Sequence, residues 1–310
     1  MTNWSSEGPV LWVAPQVAAA LEAGRPVVAL ETALVTHGLP RPRNYRVARR
    51  MEEVVAEEGA VPATVGVLGG RPRVGLLGAE LRHLAESDGA AKASLRDLGA
   101  LALRGGDAGT TVAATAWLAA QAGIRVFATG GIGGVHRGAP WDVSADLPVL
   151  ASTPMVVVCA GAKAVLDLPR TWEWLETHGV PVVGYRTDEL PAFYCRTSGL
   201  PVTVRVEGPD ELAALARAQW AMGLQKAVLV GVPVPQEVAV PEDEMEGAIA
   251  QALADAEASG IWGKAVTPFL LARVAQLTGG ASLEANEALL LQNARVAAQV
   301  ARSLAGAANE

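Results

Sequence analysis

The chain has 310 residues, of which 51% are hydrophobic, so it can bury one large core or two modest ones. Its formal net charge of −7 and its pI of about 5.3 argue against a nucleic-acid-binding surface, which needs a basic face. It opens without the pattern of a signal peptide, and no apolar run reaches the roughly 18 residues of a membrane span. With two cysteines and no sign of a disulfide framework, we expect a soluble, cytoplasmic protein without nucleic-acid or membrane partners.

Periodicity and punctuation by glycine and proline predict the elements in chain order. Short apolar runs predict strands at 26–30, 64–68, 73–76, 126–128, 155–159, 181–185, 201–206 and 227–231. Helical spacing predicts helices at 16–23, 44–58, 79–87, 110–122, 169–177, 210–222, 242–258, 267–277 and 282–304. The turn from Gly69 to Pro72 predicts a hairpin, whereas 89–106 fits neither pattern clearly.

Repeated alternation of helix, glycine and strand predicts a layered α/β/α fold. We expect a mostly parallel or mixed central sheet and a helical C-terminal segment. Residues 1–15 are predicted to form an N-terminal arm, and residues 16–310 a single domain. In such sheets ligands bind beyond the carboxyl ends of the strands, so polar residues there are the first candidates for a site.

Two predicted strands end in glycines followed by ionisable side chains. The strand 126–128 leads into four glycines and then His136 and Arg137, and the strand 155–159 leads into Gly161 and Lys163. Each turn could equally be a glycine-rich loop with solvated charges. Their occurrence together favours a binding site in the segment 126–163.

Glu31 and Lys163 are the candidates for acid–base and nucleophilic chemistry. Glu31 follows a buried strand, where partial burial raises the pKa of a carboxyl and suits it to proton transfer. Lys163 is predicted at a strand-to-helix turn, where desolvation and the helix N-terminus favour the neutral amine that forms a Schiff base. The alternatives are a carboxylate that caps a turn and a lysine that only binds an anion.

Asp142 and Asp146 flank Ser144, and two acids four residues apart share one face of a helical turn. Such a carboxylate pair suits a hard cation such as Mg²⁺ or Mn²⁺. The alternative is helix capping by Asp142 or Ser144.

Gly109, Thr110 and Thr111 open a predicted helix, whose first amides and hydroxyls suit a phosphate. The segment is not a Walker A motif, and the glycines at 130–134 lead into a loop instead of the helix that a dinucleotide fingerprint requires. His136 and Arg137 could also bind a phosphate, although a single histidine is more often structural. Lys92 is one of only four lysines, against 21 arginines, and is singled out together with Lys163 for that reason.

Several ordered motifs together resemble one known family, the pseudouridine-5′-phosphate glycosidases, also called the indigoidine synthase A family. The motifs that carry the resemblance include LETALVTHGLPRP, GTTVAAT, VFATGGIGGVHRGA, DVSADL, VVVCAGAK and SLEAN. They extend from about residue 15 to about residue 300. The resemblance implies reversible cleavage of pseudouridine 5′-phosphate to uracil and ribose 5-phosphate, a divalent metal, usually Mn²⁺, and a homotrimer.

The resemblance also implies roles for individual residues. It makes Glu31 the proton donor and Lys163 the nucleophile, and it assigns Asp142 to the metal. The implied substrate-binding residues are Lys92, Thr110, Thr111, Val112, His136, Ser144, Ala145, Asp146 and Asn286. The chain departs from the family pattern at 138–141, where the loop before Asp142 is shorter than usual.

Two other functions fit the same residues. One is a Schiff-base aldolase or lyase acting on another sugar phosphate, for which Lys163 and a phosphate site would suffice. The other is a non-catalytic sugar-phosphate-binding module, which would need neither Glu31 nor Lys163.

Overall fold

A computed structural model, which describes residues 11–261 and 266–306, confirms the layered α/β/α fold with a mixed central sheet. The strands in chain order are β1 (Trp12–Val13), β2 (Val27–Leu30), β3 (Val61–Leu68), β4 (Arg71–Val74), β5 (Ala91–Ala93), β6 (Ala108–Thr110), β7 (Val126–Ala128), β8 (Val135–His136), β9 (Ala139–Val143), β10 (Val156–Cys159), β11 (Leu166–Asp167), β12 (Val182–Tyr185), β13 (Val204–Val206) and β14 (Val228–Gly231).

The helices cover both faces of the sheet and the C-terminal segment. In chain order they are α1 (Pro15–Glu22), α2 (Arg43–Glu57), α3 (Gly78–Glu86), α4 (Leu95–Arg104), α5 (Val112–Gln121), α6 (Asp146–Leu150), α7 (Leu168–Thr177), α8 (Pro209–Ala221), α9 (Glu242–Ala258), α10 (Val266–Leu277) and α11 (Ala281–Gly306). A π-helical turn spans Leu34–Gly38. In the described ranges no helix is both long and apolar enough to cross a membrane.

The main sheet has the strand order β1-β4-β3-β2-β7-β10-β14-β12-β13, with β6 beside β3 and β5 beside β6. Its central strands are parallel, and antiparallel pairing joins β3 to β4 and to β6. The sequences VVAL, VVVC and VLVG of β2, β10 and β14 are buried throughout. Helices therefore cover both faces of these strands, as is typical of parallel sheets.

The predicted hairpin is confirmed, with a shorter turn than expected. Gly69 and Gly70 both have positive φ, 55° and 78°, which a two-residue turn matching the strand twist requires. Arg71 and Pro72 therefore already belong to β4.

Segment 89–106 forms β5 and α4, which the sequence pattern did not reveal. Ser94 is the N-cap of α4, and its amide donates to Asp97 Oδ2 at 2.9 Å. Leu95, Leu98 and Leu101 form an apolar stripe on α4 that packs against the core, although no residue of this helix is fully buried. The second sheet, β11-β8-β9, was also not predicted, because its strands are short and partly exposed.

The predicted N-terminal arm falls mainly on residues 1–10, outside the described residues. Trp12 and Val13 add a parallel strand to β4 at the sheet edge. The guanidinium of Arg73 lies 4.9 Å from the ring centroid of Trp12, a favourable cation–π contact.

Candidate functional site

The central strands end at a cavity of about 530 Å³ that collects most of the predicted site residues. Those that line it are Glu31, Lys92, Thr111, His136, Asp142, Ser144, Ala145, Asp146 and Lys163. A narrower pocket of about 50 Å³ shares Glu31, Lys92 and Lys163 with this cavity and adds Asn286. We call the first the large cavity and the second the narrow pocket. Glu31, Lys92 and Lys163 are three of the five residues that line both, and they stand where the two spaces meet.

Glu31 follows β2 and is buried, with 5% of its surface exposed. Burial raises the pKa of its carboxyl above the usual range, while the charges of Lys163 and Lys92 and a hydrogen bond from the Thr129 hydroxyl oppose this rise. The charge of Asp146 adds to it. Glu31 therefore keeps its proton to a higher pH than an exposed glutamate, as a general acid requires.

Lys163 reaches the same place from the end of β10. The chain turns at Gly161, whose φ is 90° and where a Cβ would lie 1.9 Å from the carbonyl oxygen of Pro191, so a side chain is excluded. The Lys163 amide donates to the Ile132 carbonyl at 3.0 Å, and the Leu166 amide donates to the Lys163 carbonyl at 3.0 Å. The predicted strand-to-helix turn is wrong in one respect: a turn and β11 intervene before α7, because residues 166–167 pair with β8.

Lys92 enters from β5, in the segment without a clear pattern. It lies opposite Gly109 of the parallel strand β6 and lines both the large cavity and the narrow pocket. The side chains of Lys92 and Lys163 thus both act on Glu31 at the junction of the two spaces. Two amines at this junction suit an anionic substrate.

Asp146 is tied to backbone amides on two sides. Its Oδ1 accepts from the amide of Ala113 at 2.8 Å, and its Oδ2 accepts from the amide of Gly133 at 2.7 Å. The Ser144 hydroxyl accepts from the Asp146 amide at 3.2 Å. The buried carboxylate therefore joins the start of α5 to the glycine loop and fixes one wall of the large cavity.

The expectation that Asp142 and Asp146 share one face of a helical turn is wrong. Asp142 lies in β9, whereas Asp146 is the first residue of α6, so a change of direction at Ser144 separates them. Ser144 accepts the hydrogen bond just described, but Ala145 is the N-cap of α6 and no side chain caps this helix, so the capping alternative is also wrong. Ala145, between them, is exposed at the cavity wall.

Asp142 pairs with His136 across the β8–β9 hairpin. Its Oδ2 lies 2.8 Å from His136 Nδ1, and the two side chains are 51% and 20% exposed. Across residues 11–261 and 266–306, no three histidine, cysteine or acidic residues come together as a metal-binding group. His136 Nδ1 is buried and makes no hydrogen bond of good geometry in the described structure, and beside an exposed carboxylate it fits a hydrated Mg²⁺ or Mn²⁺.

Thr110, Thr111 and Val112, at and before the start of α5, have different environments. Thr110 ends β6, and its buried hydroxyl donates to the Val65 carbonyl at 2.8 Å, inside the protein. Thr111 caps α5, accepting from the Ala114 amide at 3.4 Å, and lines the large cavity. Val112 is buried and lines neither space. The helix predicted to begin at Thr110 begins at Val112, because Thr110 pairs with Ala93.

The narrow pocket adds residues that sequence reasoning missed. Asn286, from α11, was predicted; His37 and Phe193 were not singled out as site residues, yet both line this pocket. Phe193 has a φ of 64°, rare for an aromatic residue, and its ring leaves no room for a Cβ on Gly131. His37 lies in the same sequence motif as Glu31, and this proximity was the one signal in the sequence that could have marked His37 as a site residue.

Comparisons with known proteins identify the family of the chain. A family model described as "Indigoidine synthase A like protein" matches residues 16–303. A pseudouridine-5′-phosphate glycosidase of Methylobacterium nodulans is 55% identical over 301 residues, covering 96% of this chain and 89% of that relative. One of the same name from Caldanaerobacter subterraneus is 52% identical, covering 93% of this chain and 95% of the relative.

Two solved structures have the same fold. The prealnumycin C-glycosynthase AlnA, in complex with ribulose 5-phosphate, gives a TM-score of 0.90 at 42% identity, covering 97% of this chain and 99% of that one. An indigoidine synthase A-like protein from Thermotoga maritima gives a TM-score of 0.88 at 37% identity, covering 95% and 96%.

Proposed function

The chain belongs to the indigoidine synthase A like family, and from this premise we propose that it cleaves pseudouridine 5′-phosphate reversibly. The products are uracil and ribose 5-phosphate. The observation that carries the proposal is the meeting of Glu31 and Lys163 at the junction of a large cavity and a narrow pocket. A binding module would need neither a buried acid nor an amine beside it.

The reaction must break a bond between two carbons, which is harder than ordinary glycoside hydrolysis, where an acid and a carboxylate suffice. We assign the first proton transfer to Glu31, whose raised pKa supports it: the carboxyl gives its proton to the ribose ring oxygen, and the C1′–O bond opens. The amine of Lys163 then forms a bond to C1′.

Addition of the amine releases one N–H proton, which the Glu31 carboxylate takes up, and cleavage follows once this proton is delivered to uracil C5. The bond between C1′ and C5 breaks with its electron pair returning to the uracil ring, while the nitrogen lone pair of Lys163 forms the C=N bond of an iminium ion. Water adds to this ion and releases ribose 5-phosphate, which restores the free amine. One water is consumed for each uracil formed, and no oxidant or reductant is needed.

The size of the two spaces supports an orientation for the substrate. The narrow pocket has apolar walls at Phe193 and Leu290 and a polar amide at Asn286, which suits a flat base. The large cavity, with Lys92, Thr111 and Ser144, suits the sugar phosphate. We therefore place uracil beside Asn286 and the phosphate on the side of Ser144.

A divalent cation, Mn²⁺ or Mg²⁺, would be held by Asp142 with His136 beside it. Such an ion keeps several waters and neutralises phosphate charge when it is bound. The pairing of His136 with Asp142 and the exposure of the Asp142 carboxylate support this assignment.

We also propose a homotrimer in the cytoplasm. Trp141, between the metal candidate and the hairpin turn, is 96% exposed, and a large apolar side chain at the rim of a site is typical of a subunit contact. Both cysteines are buried and unpaired, which fits a reducing compartment. Sedimentation of the wild-type chain and of Trp141→Ser tests the trimer: loss of the trimer is expected in the variant.

A second candidate is the formation of a C–C bond between a sugar phosphate and another aromatic acceptor. The specific observation behind it is the likeness to a C-glycosynthase solved with ribulose 5-phosphate. The same Lys163 chemistry, run in reverse, would serve it.

One experiment separates these candidates. Purified protein with Mn²⁺ is given pseudouridine 5′-phosphate, uracil release is followed by absorbance, and borohydride is added before the intact mass is measured. Uracil release and a ribose-phosphate adduct at Lys163 support the glycosidase. No uracil and no adduct, in folded and metal-loaded protein, would exclude it. An adduct with ribose 5-phosphate but no uracil release would favour the second candidate.

A further inference from the structure

Arg137 lies behind the turn that carries Lys163, on the side away from the large cavity. Its neighbour His136 lines the large cavity, whereas Arg137 lines a separate cavity of about 460 Å³. Leu166 lines both. The turn from Lys163 to Leu166 therefore forms the wall between the two spaces, and Arg137 contacts that wall from behind.

The guanidinium of Arg137 holds two carbonyls of this turn. Its Nε donates to the Leu166 carbonyl at 3.1 Å, and its Nη2 donates to the Ala164 carbonyl at 3.3 Å. The Lys163 amide is already bound to the Ile132 carbonyl at 3.0 Å. The backbone is thus fixed on both sides of Lys163: before it by β-type pairing, and after it by the Leu166 amide, by the pairing of β11 with β8 and by the side chain of Arg137.

The outward-facing donors of Arg137 bind Glu246 of α9. Nη1 donates to Oε2 and Nη2 donates to Oε1, both at 2.8 Å. The Glu246 side chain is 53% exposed, and an ion pair of this exposure adds little stability by itself. A planar guanidinium paired in this way is nevertheless fixed in orientation, so the carboxylate aims Nε and Nη2 at the turn.

We propose that Arg137 is a positioning residue for Lys163. Arg137 holds the turn so that the Lys163 amine stands at C1′ of the substrate. The inference rests on the proposed function, because it takes Lys163 as the nucleophile. Reactions of this kind depend on near-attack geometry, and a displacement of about 1 Å can cost roughly 100-fold in rate. Arg137 itself touches no reacting atom; it acts through the backbone of residues 163–166.

The test compares Arg137→Met with the wild type and with two matched variants. We expect kcat to fall by about 10- to 100-fold in Arg137→Met, with KM changed less than about threefold, because positioning and not binding is lost. Glu246→Gln keeps an acceptor for Arg137, and its kcat should fall by no more than about threefold. Arg205→Met removes an exposed arginine paired to Asp188 and Glu207, and should leave kcat unchanged.

A conservative variant provides the second arm. Lysine in Arg137→Lys cannot bind two carbonyls and a carboxylate in one plane, so we expect kcat between the wild type and the Met variant, at a melting temperature close to wild type. If Arg137→Met does not fold, this variant carries the test alone. Wild-type kcat in Arg137→Lys and, where it folds, in Arg137→Met would overturn the inference.

The proposed substrate and the positioning role are tested separately. Ribose 5-phosphate with cyanoborohydride labels Lys163 through the same iminium, without any cleavage of uracil, and peptide mass gives the labelling rate. A wild type that labels but releases no uracil refutes the proposed substrate alone. A labelling rate in Arg137→Met equal to that of the wild type refutes the positioning role, whatever the substrate.

Discussion

The two halves of the site are built differently. At the inner half, Glu31 and Lys163 follow buried parallel strands, and Thr129, Ile132 and the arginine behind the Lys163 turn hold them in place. At the outer half, Asp142 and Trp141 stand on a short hairpin, with 51% of the Asp142 side chain and 96% of Trp141 exposed. The inner half is fixed by the fold before substrate arrives, whereas the outer half carries the exposed groups that we propose for a metal and a second subunit.

This comparison predicts that changes at the inner half act on the chemical step. We expect Lys163→Ala to lower uracil release by about 10⁴-fold or more, because it removes the nucleophile. The matched control is Lys226→Ala, whose ammonium donates to the Ala151 carbonyl at 3.2 Å, away from the site. Continuous assay by uracil absorbance measures both; residual activity above about 1% in Lys163→Ala would assign the nucleophile elsewhere.

Glu31→Gln should lower kcat by about 100- to 10,000-fold, since the general acid is lost. Because burial raises the pKa of Glu31, wild-type kcat falls as pH rises through that pKa, and this limb should vanish in the variant. Glu52→Gln is the control: burial also raises the pKa of Glu52, but its carboxyl binds the Thr64 hydroxyl outside the site. A pH profile of kcat from pH 4 to 9 compares the three.

The same pKa shift predicts a sign for stability. A group whose pKa is raised by folding stabilises the protein fully below its unfolded pKa, near 4.5, and loses that contribution as pH rises through the folded value. Glu31→Gln should therefore gain in melting temperature relative to wild type as pH increases. A difference that shrinks with increasing pH would contradict the burial of an ionisable acid at this position.

Asp146→Asn tests the cavity wall that the Asp146 carboxylate holds between the start of α5 and the glycine loop. Its amide nitrogen must face one of two backbone N–H donors, so we expect a loss of about 1–3 kcal/mol in the free energy of unfolding. Urea denaturation followed by circular dichroism measures it. Asp142→Asn, half-exposed, is the matched control and should change stability by less than about 0.5 kcal/mol.

The smallest expected effect lies at the outer half. Asp142→Asn should weaken Mn²⁺ binding by about tenfold or more, while the fold and the inner half stay intact. Electron paramagnetic resonance of free Mn²⁺ during titration measures the affinity without any assay of turnover. Unchanged affinity would show that the metal, if used, is held by other groups.

The position of the inner half in the fold was accessible from sequence. The apolar strands before Glu31 and Lys163 predict that both residues are at least partly buried and lie at the carboxyl ends of central strands. The order of the motifs identifies the family. The outer half was harder: Asp142 and Asp146 were expected on one helical face, but spacing of four residues has that meaning only where the chain is helical.

The sequence by itself determined the α/β/α layering, the hairpin at Gly69-Gly70 and the candidates Glu31 and Lys163, because local propensity and apolar periodicity specify elements. Tertiary structure alone decided that Lys92 meets Glu31, that the Asp146 carboxylate binds Ala113 and Gly133, and that His37 and Phe193 line the narrow pocket. These contacts join residues distant in the chain. The periodicity of apolar residues indicates which face of a helix or strand is buried. The order and connection of the strands and loops determine which other residues that face contacts.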